Sequence, residues 1–464
     1  MSISTRLAGF YRSCLFQIII VGLVSLCEPG IWTALNNLGA GGQASPFLNN
    51  AANALTYGLM SIGCTIAGGV SNKITPKWTL VIGAAFYTPY AAGLYCNNRY
   101  GNEWFMLLGA GLCGIGASLL WASEAAIAVG YPEEAKRGKY VSIWLGIRQL
   151  GPLVGGSISL ALNVTTKSTG KVSYNTYLGL IAISSLGAPF ALLLSQPQKV
   201  VRSDGTKIQY TRQKSIGAEA RAIWRQLKSA YLLLLIPVFL AGQFGVTYQS
   251  NYLTTYFTVR SRALASFLTA IVGFAANITT GLFLDVSSIS QSTKSRAFYI
   301  GAVVLITACW IWNAVVQVAL ESRPDTTFDL GGGPFASSGL AVYMCFRFLY
   351  EALQTYLYWL MGEVGAQSGQ EGRRLDDVAR MTGILRSWES IGSTIAYVVG
   401  ATHWSNLNQM ILGFVMWGVT VPFTLAALFG RWQPAEGIVA GEAGTSDNSS
   451  VEEQRMDVAP KSTY

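Results

Sequence analysis

The chain has 464 residues, 51% of them hydrophobic and only 12% charged. Ordinary soluble domains carry about 25% charged residues, so this balance excludes a soluble globular protein and points to the membrane. A net charge of +9 would suggest nucleic acid in a soluble chain. Here the cations gather between long apolar runs, where Lys and Arg report topology rather than a nucleic-acid partner.

From the N-terminus, a short polar segment with Arg6 and Arg12 precedes an apolar run, Leu15–Asn36, that has no small-residue cleavage site and is interrupted by Glu28-Pro29-Gly30. This run is the first predicted span. Further spans are predicted at about 50–71, 78–96, 104–129, 140–162, 177–195, 231–257, 264–284, 297–320, 339–361, 382–402 and 409–429. Each is near the ~20 residues that cross a bilayer as a helix. The expectation is an all-α polytopic membrane protein of twelve transmembrane helices.

Between the sixth and seventh spans lies Gln196–Ser229, whose eight cations and two acids make it the only long polar segment between the ends. It divides the chain into an N-terminal six-helix half (1–195), a basic cytoplasmic loop (196–230), a C-terminal six-helix half (231–429) and a tail (430–464). Within the loop, Ile216, Ala220, Ile223, Trp224 and Leu227 recur at helical spacing, with Arg221, Arg225 and Lys228 on other faces. That pattern predicts a helix lying on the inner membrane surface. The acidic Gly/Ala/Ser-rich tail has too little apolar area to fold and is expected to be disordered.

With the N-terminus inside, 23 of the 32 Lys and Arg fall in cytoplasmic segments, 6 in outer loops and 3 within spans. The bias places both termini in the cytoplasm of the plasma membrane or an endomembrane. Asn163-Val164-Thr165 then falls in an outer loop and is the candidate glycosylation site, whereas the sequons at Asn277 and Asn448 do not face the lumen. The seven cysteines and the lone His403 show no metal-ligand spacing. No metal, cofactor, nucleotide loop or catalytic triad is expected, and hence no enzyme.

The loop Gly68-Gly69-Val70-Ser71-Asn72-Lys73-Ile74-Thr75-Pro76-Lys77 resembles the gate loop of the major facilitator superfamily, with Asn72 in place of the acid and Thr75 in place of glycine. Gly281-Leu282-Phe283-Leu284-Asp285, followed by Lys294 and Arg296, is its fainter echo in the second half. Trp121 and Arg148 stand 27 residues apart, as do Trp359 and Arg386. A narrower resemblance lies in the stretch Pro29–Gly42 and in Asn72–Lys77, Tyr131-Pro132-Glu133-Glu134, Arg137-Gly138-Lys139-Tyr140 and Val201-Arg202-Ser203-Asp204-Gly205. These are similar to the uncoordinated-ninety-three (ion-channel regulatory protein) family, particularly its fungal members, over roughly the first 205 residues. The resemblance implies the major facilitator fold. It also implies two functions: transport, assigned to fungal members by fold, or regulation and escort of another membrane protein, as described for animal members. Glu28, Glu124 and Arg148 depart from the family pattern, which expects a glutamine at 124 and an apolar or aromatic residue at 148.

Charges inside spans are costly and mark function or mutual pairing. They are Glu28, Glu124, Arg148, Arg347, Glu351, Arg386 and Glu389. Arg347 and Glu351 are i,i+4, and Arg386 and Glu389 are i,i+3, spacings that allow pairing along one helix. Glu124 and Arg148 are expected at similar depth on consecutive spans and therefore to pair. Glu28 precedes a helix-kinking proline and is the expected proton-coupling acid, with Trp32 and Asn36 along the same face. Gln243 and Asn251, each 215 residues later, are its span-seven counterparts. Gly151-Pro152 resembles part of the antiporter motif, with plain helix packing as the competing reading. The leading expectation is secondary transport, as proton-coupled efflux of a small organic molecule. The alternative is a non-transporting regulator of a membrane partner such as an ion channel.

Overall fold

A computed structural model describes residues 9–43, 46–133, 136–163, 165, 171–208, 216–323, 327–329, 333–367, 374–402 and 404–430. His403 and the tail expected to be disordered lie outside them. Among the described residues twelve helical rods make up the fold: α1 (Cys14–Asn37), α2 (Pro46–Ile74), α3 (Pro76–Ala85 and Thr88–Tyr100), α4 (Glu103–Gly130), α5 (Arg137–Arg148 and Leu150–Asn163) and α6 (Tyr174–Ser184 and Gly187–Leu192) form the first six. The second six are α7 (Ala230–Ala241 and Gly245–Tyr256), α8 (Val259–Leu284), α9 (Gln291–Glu321), α10 (Gly333–Gln367), α11 (Arg374–Gly400) and α12 (Asn406–Phe429). The linker helix, Ile216–Leu227, stands between the sets. Among the described residues only isolated β-bridges occur, so backbone polar groups are satisfied within helices, as a bilayer requires.

Among the described residues eight rods are long and apolar enough to span a membrane: α1, α2, α4, α6, α7, α8, α9 and α12. The remaining four fall outside that group for visible reasons. They are more polar: α3 ends in Asn97-Asn98-Arg99, α5 carries Arg148-Gln149, and α10 and α11 each carry an Arg–Glu pair. The break in α1 is at Pro29, and those in α3, α5 and α6 lie just before Pro89, Pro152 and Pro189, which lack the N–H that continues the ladder. Pro29 sits in a π turn, Leu26–Gly30, within α1. At the same 215-residue offset, α7 is interrupted between Ala241 and Gly245.

The most extensive contacts between the two sets are α2 with α11 and α5 with α8. Advancing each helix by six positions around the chain exchanges these two pairs, so the halves meet about a pseudo-two-fold axis, the arrangement of internally repeated transporters. The contact between α1 and α5 within the first half is close because both helices present glycine. A Cβ on Gly151 would lie 2.6 Å from the Cα of Gly30, and one on Gly30 would lie 2.8 Å from the carbonyl oxygen of Arg148. Gly151-Pro152 therefore packs against Pro29-Gly30, which accounts for its glycine.

Two stretches that are far apart in sequence form one clip. The Glu133 carboxylate accepts from the Ser203 amide at 2.9 Å and from its hydroxyl at 2.7 Å, while Arg202 Nε donates to the Tyr131 carbonyl at 2.8 Å. The start of the inter-half segment is thereby tied to the α4–α5 loop. The linker helix forms where predicted. Gln226 faces inward and donates to Asp377 of α11, and Trp224 is exposed with Lys228 over its ring.

Candidate functional site

A cavity lies between the halves, at the level of the α1 π turn and the α7 break. It leaves about 60 Å³ for the centres of water-sized molecules. Trp32, Asn36 and Asn37 contribute from α1, Tyr57 and Met60 from α2, and Trp121 and Arg148 from α4 and α5. The second half supplies Gln243, Arg347, Glu351, Gln354 and Arg386. Arg148, Arg347, Glu351 and Arg386 are each less than 8% exposed.

Glu351 is the hub. Its Oε2 lies 2.5 Å from Arg148 Nη2, across the interface between halves, and its Oε1 lies 3.4 Å from Arg347 Nη2 on its own helix. Arg386 Nη1 lies 2.9 Å from Glu389 Oε2, the i,i+3 partner. The Trp121 ring lies beneath both halves' cations, 4.1 Å from Arg386 and 5.8 Å from Arg148. A tryptophan face attracts cations, most strongly in a desolvated site. Both arginines of the 27-residue echo thus reach one cavity. Their tryptophans diverge, since Trp359 stands instead beside Lys294.

Two expected relationships are corrected. Glu124 does not pair with Arg148. Its Oε2 accepts from Ser25 at 2.6 Å and from Trp144 Nε1 at 3.2 Å, and it is fully buried behind the cavity wall. Similar depth on consecutive helices did not bring the two together, because Trp121 and Trp144 fill that space and Glu351 takes the cation. Glu28 does not share a face with Trp32 and Asn36. The π turn inserts a residue between them and rotates Glu28 away, toward α6, where it accepts from Ser184 at 2.9 Å. Trp32 and Asn36 line the cavity. Gln243 also lines it and donates to Gln354 at 2.8 Å, but Asn251 lies outside it, donating to Gln409 at 2.8 Å.

Contacts between the halves close the cavity on both sides. On the side facing the α1–α2 loop, Asn50 donates to the Gly400 carbonyl at 2.8 Å and Ala40 N to Ser250 at 3.3 Å. There Arg262, which is 1% exposed, donates to the carbonyls of Leu38 and Gly39. On the N-terminal side Arg137, fully buried, pairs with Glu363, and the Asp285 carboxylate accepts from the Lys139 amide at 2.6 Å. Asp285 thus caps α5 at its first turn, where free amides and the helix dipole favour an anion. Arg262, Asn50, Glu363 and Gln354 carried no site signal of their own in the sequence, and Arg137 stood in a family-like stretch that gave it no partner. Arg262 read as one more loop cation, although the Gly39–Gly42 turn, with positive φ throughout, leaves carbonyls that need a donor.

In the other half's gate loop, α2 runs through Gly69 to Ile74 with Lys73 in its last turn, and Lys77 Nζ lies over Trp78. The Asn72 side chain lies outside the described residues. Thr75 adopts φ 86° and ψ 148°, in the position where the superfamily loop has glycine. Asn163 is 2% exposed, donates to Ser159 and Thr176 and accepts from the Ser173 amide. A glycan there would replace a donor that the fold uses.

Residues 50–322, more than half of the chain, match the family described as "Ion channel regulatory protein UNC-93". The chain belongs to the UNC-93 family. Notoamide biosynthesis cluster protein O′ of Aspergillus versicolor is 33% identical over 84% of this chain and 83% of its own length. UNC93-like protein 1 of Arabidopsis thaliana is 26% identical over 90% of this chain and 91% of its own. An UNC93-like protein of Schizosaccharomyces pombe is 29% identical over 83% and 76%. Among solved structures, the major facilitator transporter FucP in its outward conformation is similar with a TM-score of 0.57 at 14% identity, covering 88% of this chain and 98% of that one. This likeness shows the fold: an UNC-93 member with the major facilitator architecture of two six-helix halves.

Proposed function

We infer that the protein is a secondary transporter of a small organic molecule that works by alternating access, with the central cavity as its substrate site. The supporting observation is a polar cavity between the halves, closed at both ends by contacts that join one half to the other. Rocking of the halves about the α2–α11 and α5–α8 seams would break one set of contacts and keep the other. The two-fold relation makes the two closures alternatives. The relative in Aspergillus versicolor is named for a biosynthesis cluster, and a small-molecule cargo for this chain agrees with that name.

Cation placement assigns the N-terminal face to the cytoplasm, so both termini, the inter-half segment and the linker helix belong there. The exposed Trp224 and the cations Arg221, Arg225 and Lys228 then suit the inner lipid surface. Export driven by the proton gradient is the direction assigned. Glu28 and Glu124 are its proton sites, since each is buried with one carboxylate oxygen, Oε1, that has no protein donor.

Counterflow in proteoliposomes against a panel of organic molecules and potassium tests transport. Exchange of at least one organic solute supports it. Intact protein that exchanges none and co-purifies with a membrane protein in stoichiometric amount would replace it with the regulator reading carried by the family description.

A further inference from the structure

We propose that the central cavity binds an organic monoanion with an apolar or aromatic body, its acidic group held among Arg148, Arg347 and Arg386. The proposal names the substrate class of the transport reading above.

The first observation is a donor surplus. Four buried N–H groups of lining residues have no protein acceptor: Nε of Arg148, Arg347 and Arg386 and Nε1 of Trp32. Several nearby acceptors are already used. Gln354 Oε1 takes Gln243, Asn36 Oδ1 takes Asn53, and the Glu351 carboxylate is divided between Arg148 and Arg347. A neutral polyol or an amine would bring further donors to the three guanidinium groups. A carboxylate or sulfonate brings only acceptors, and the planar guanidinium is built to bind them.

The second observation is charge. Three guanidinium groups line the cavity against the two carboxylates that pair with them, Glu351 and Glu389. One positive charge is left over, which matches one negative charge on the ligand. Glu28 and Glu124 stand outside the lining, bonded to Ser184 and to Ser25 and Trp144. The third observation is the rest of the wall. Trp32, Tyr57, Met60, Tyr87 and Trp121 surround the cations with apolar surface, as small-molecule sites generally do.

The test is equilibrium binding to the purified full-length protein, read as thermal stabilisation at constant ionic strength. The probes are benzoate, benzenesulfonate and 1-naphthoate, against benzamide, 1-naphthamide and benzylamine. We expect at least one anion to stabilise the protein and to bind at least tenfold more tightly than its neutral counterpart. A double variant, Arg386→Gln with Glu389→Gln, removes a donor while leaving no carboxylate stranded, and it should weaken anion binding at least tenfold. Arg386→Lys, which keeps the charge, should recover part of the loss. Equal binding of anions and amides, stabilisation by none of the three anions, or undiminished anion binding in a folded double variant would overturn the proposal. Because binding is read without transport, a chain that binds the anions yet exchanges no solute would refute the transport reading and leave this one standing.

Discussion

Arg148 Nη2 lies 2.5 Å from Glu351 Oε2, so one ion pair joins α5 of the first half to α10 of the second through the wall of the cavity. Glu351 also holds Arg347, and its removal strands two buried cations. Glu351→Gln should cost about 3–5 kcal/mol, the range for breaking a buried pair by deleting one partner. A double-mutant cycle on thermal stability should show coupling between residues 148 and 351. The same cycle between 124 and 148 should show a much smaller coupling, because Glu124 bonds to Ser25 and Trp144 instead. Coupling in the second cycle and none in the first would reverse the assignment.

Glu124→Gln keeps an oxygen to accept from Ser25 and Trp144, and Glu28→Gln keeps one for Ser184. Around Glu124 the charged and titratable groups are Arg148, Arg386, Glu28 and Tyr87. Either variant should fold and reach the membrane. Each should lose accumulation driven by a pH gradient while retaining substrate exchange. Unchanged pH-driven accumulation in one variant removes that acid as a proton site.

Thr75 pays for its backbone conformation. At φ 86° and ψ 148° its Cβ occupies a region that is essentially reserved for glycine. Thr75→Gly should stabilise the protein by about 1 kcal/mol, at the low end of the cost of such strain because glycine also gains freedom in the unfolded chain. Thermal unfolding in detergent measures it. A lowered midpoint would show that the Thr75 side chain makes contacts worth more than the strain.

The Glu133 clip should depend on pH. Partial burial works against the Glu133 charge, but the hydrogen bonds from Ser203 outweigh it and hold the carboxyl below its usual range. A group whose folded pKa is depressed stabilises the fold above its unfolded pKa and loses that contribution as pH falls through the folded value. The clip should therefore hold at neutral pH and release only under acid, below about pH 4, the ordinary carboxylate range. Limited proteolysis after Arg202 across pH 3–7 reads the release, with scissile-bond protection compared between wild type and Glu133→Gln. Equal protection of the two proteins at pH 7 would show that the clip does not depend on the carboxylate.

Hydropathy run lengths placed all twelve helices, and the i,i+3 and i,i+4 spacings of Arg386–Glu389 and Arg347–Glu351 correctly paired residues on one helix. These features are local: a bilayer demands about 20 apolar residues per span, and helical periodicity alone brings such neighbours together. The linker helix was legible for the same reason, from its own amphipathic spacing. Local information could not say which face of α1 carries Glu28, because a single π turn at Leu26–Gly30 rotates everything before it relative to Trp32. Nor could it choose among partners for Arg148, since three glutamates lie within reach of a bundle whose packing was unknown. Only the tertiary structure decided these. Side chains on different helices compete for the same cation, and the winner is set by where Trp121, Trp144 and the glycine contact of Gly30 with Gly151 hold the helix axes. The two closures were hidden for a related reason. Arg262 read as a loop cation and Arg137 as part of a family-like stretch, and their burial follows from the pseudo-two-fold meeting of halves, a property of the assembled fold that no single segment encodes.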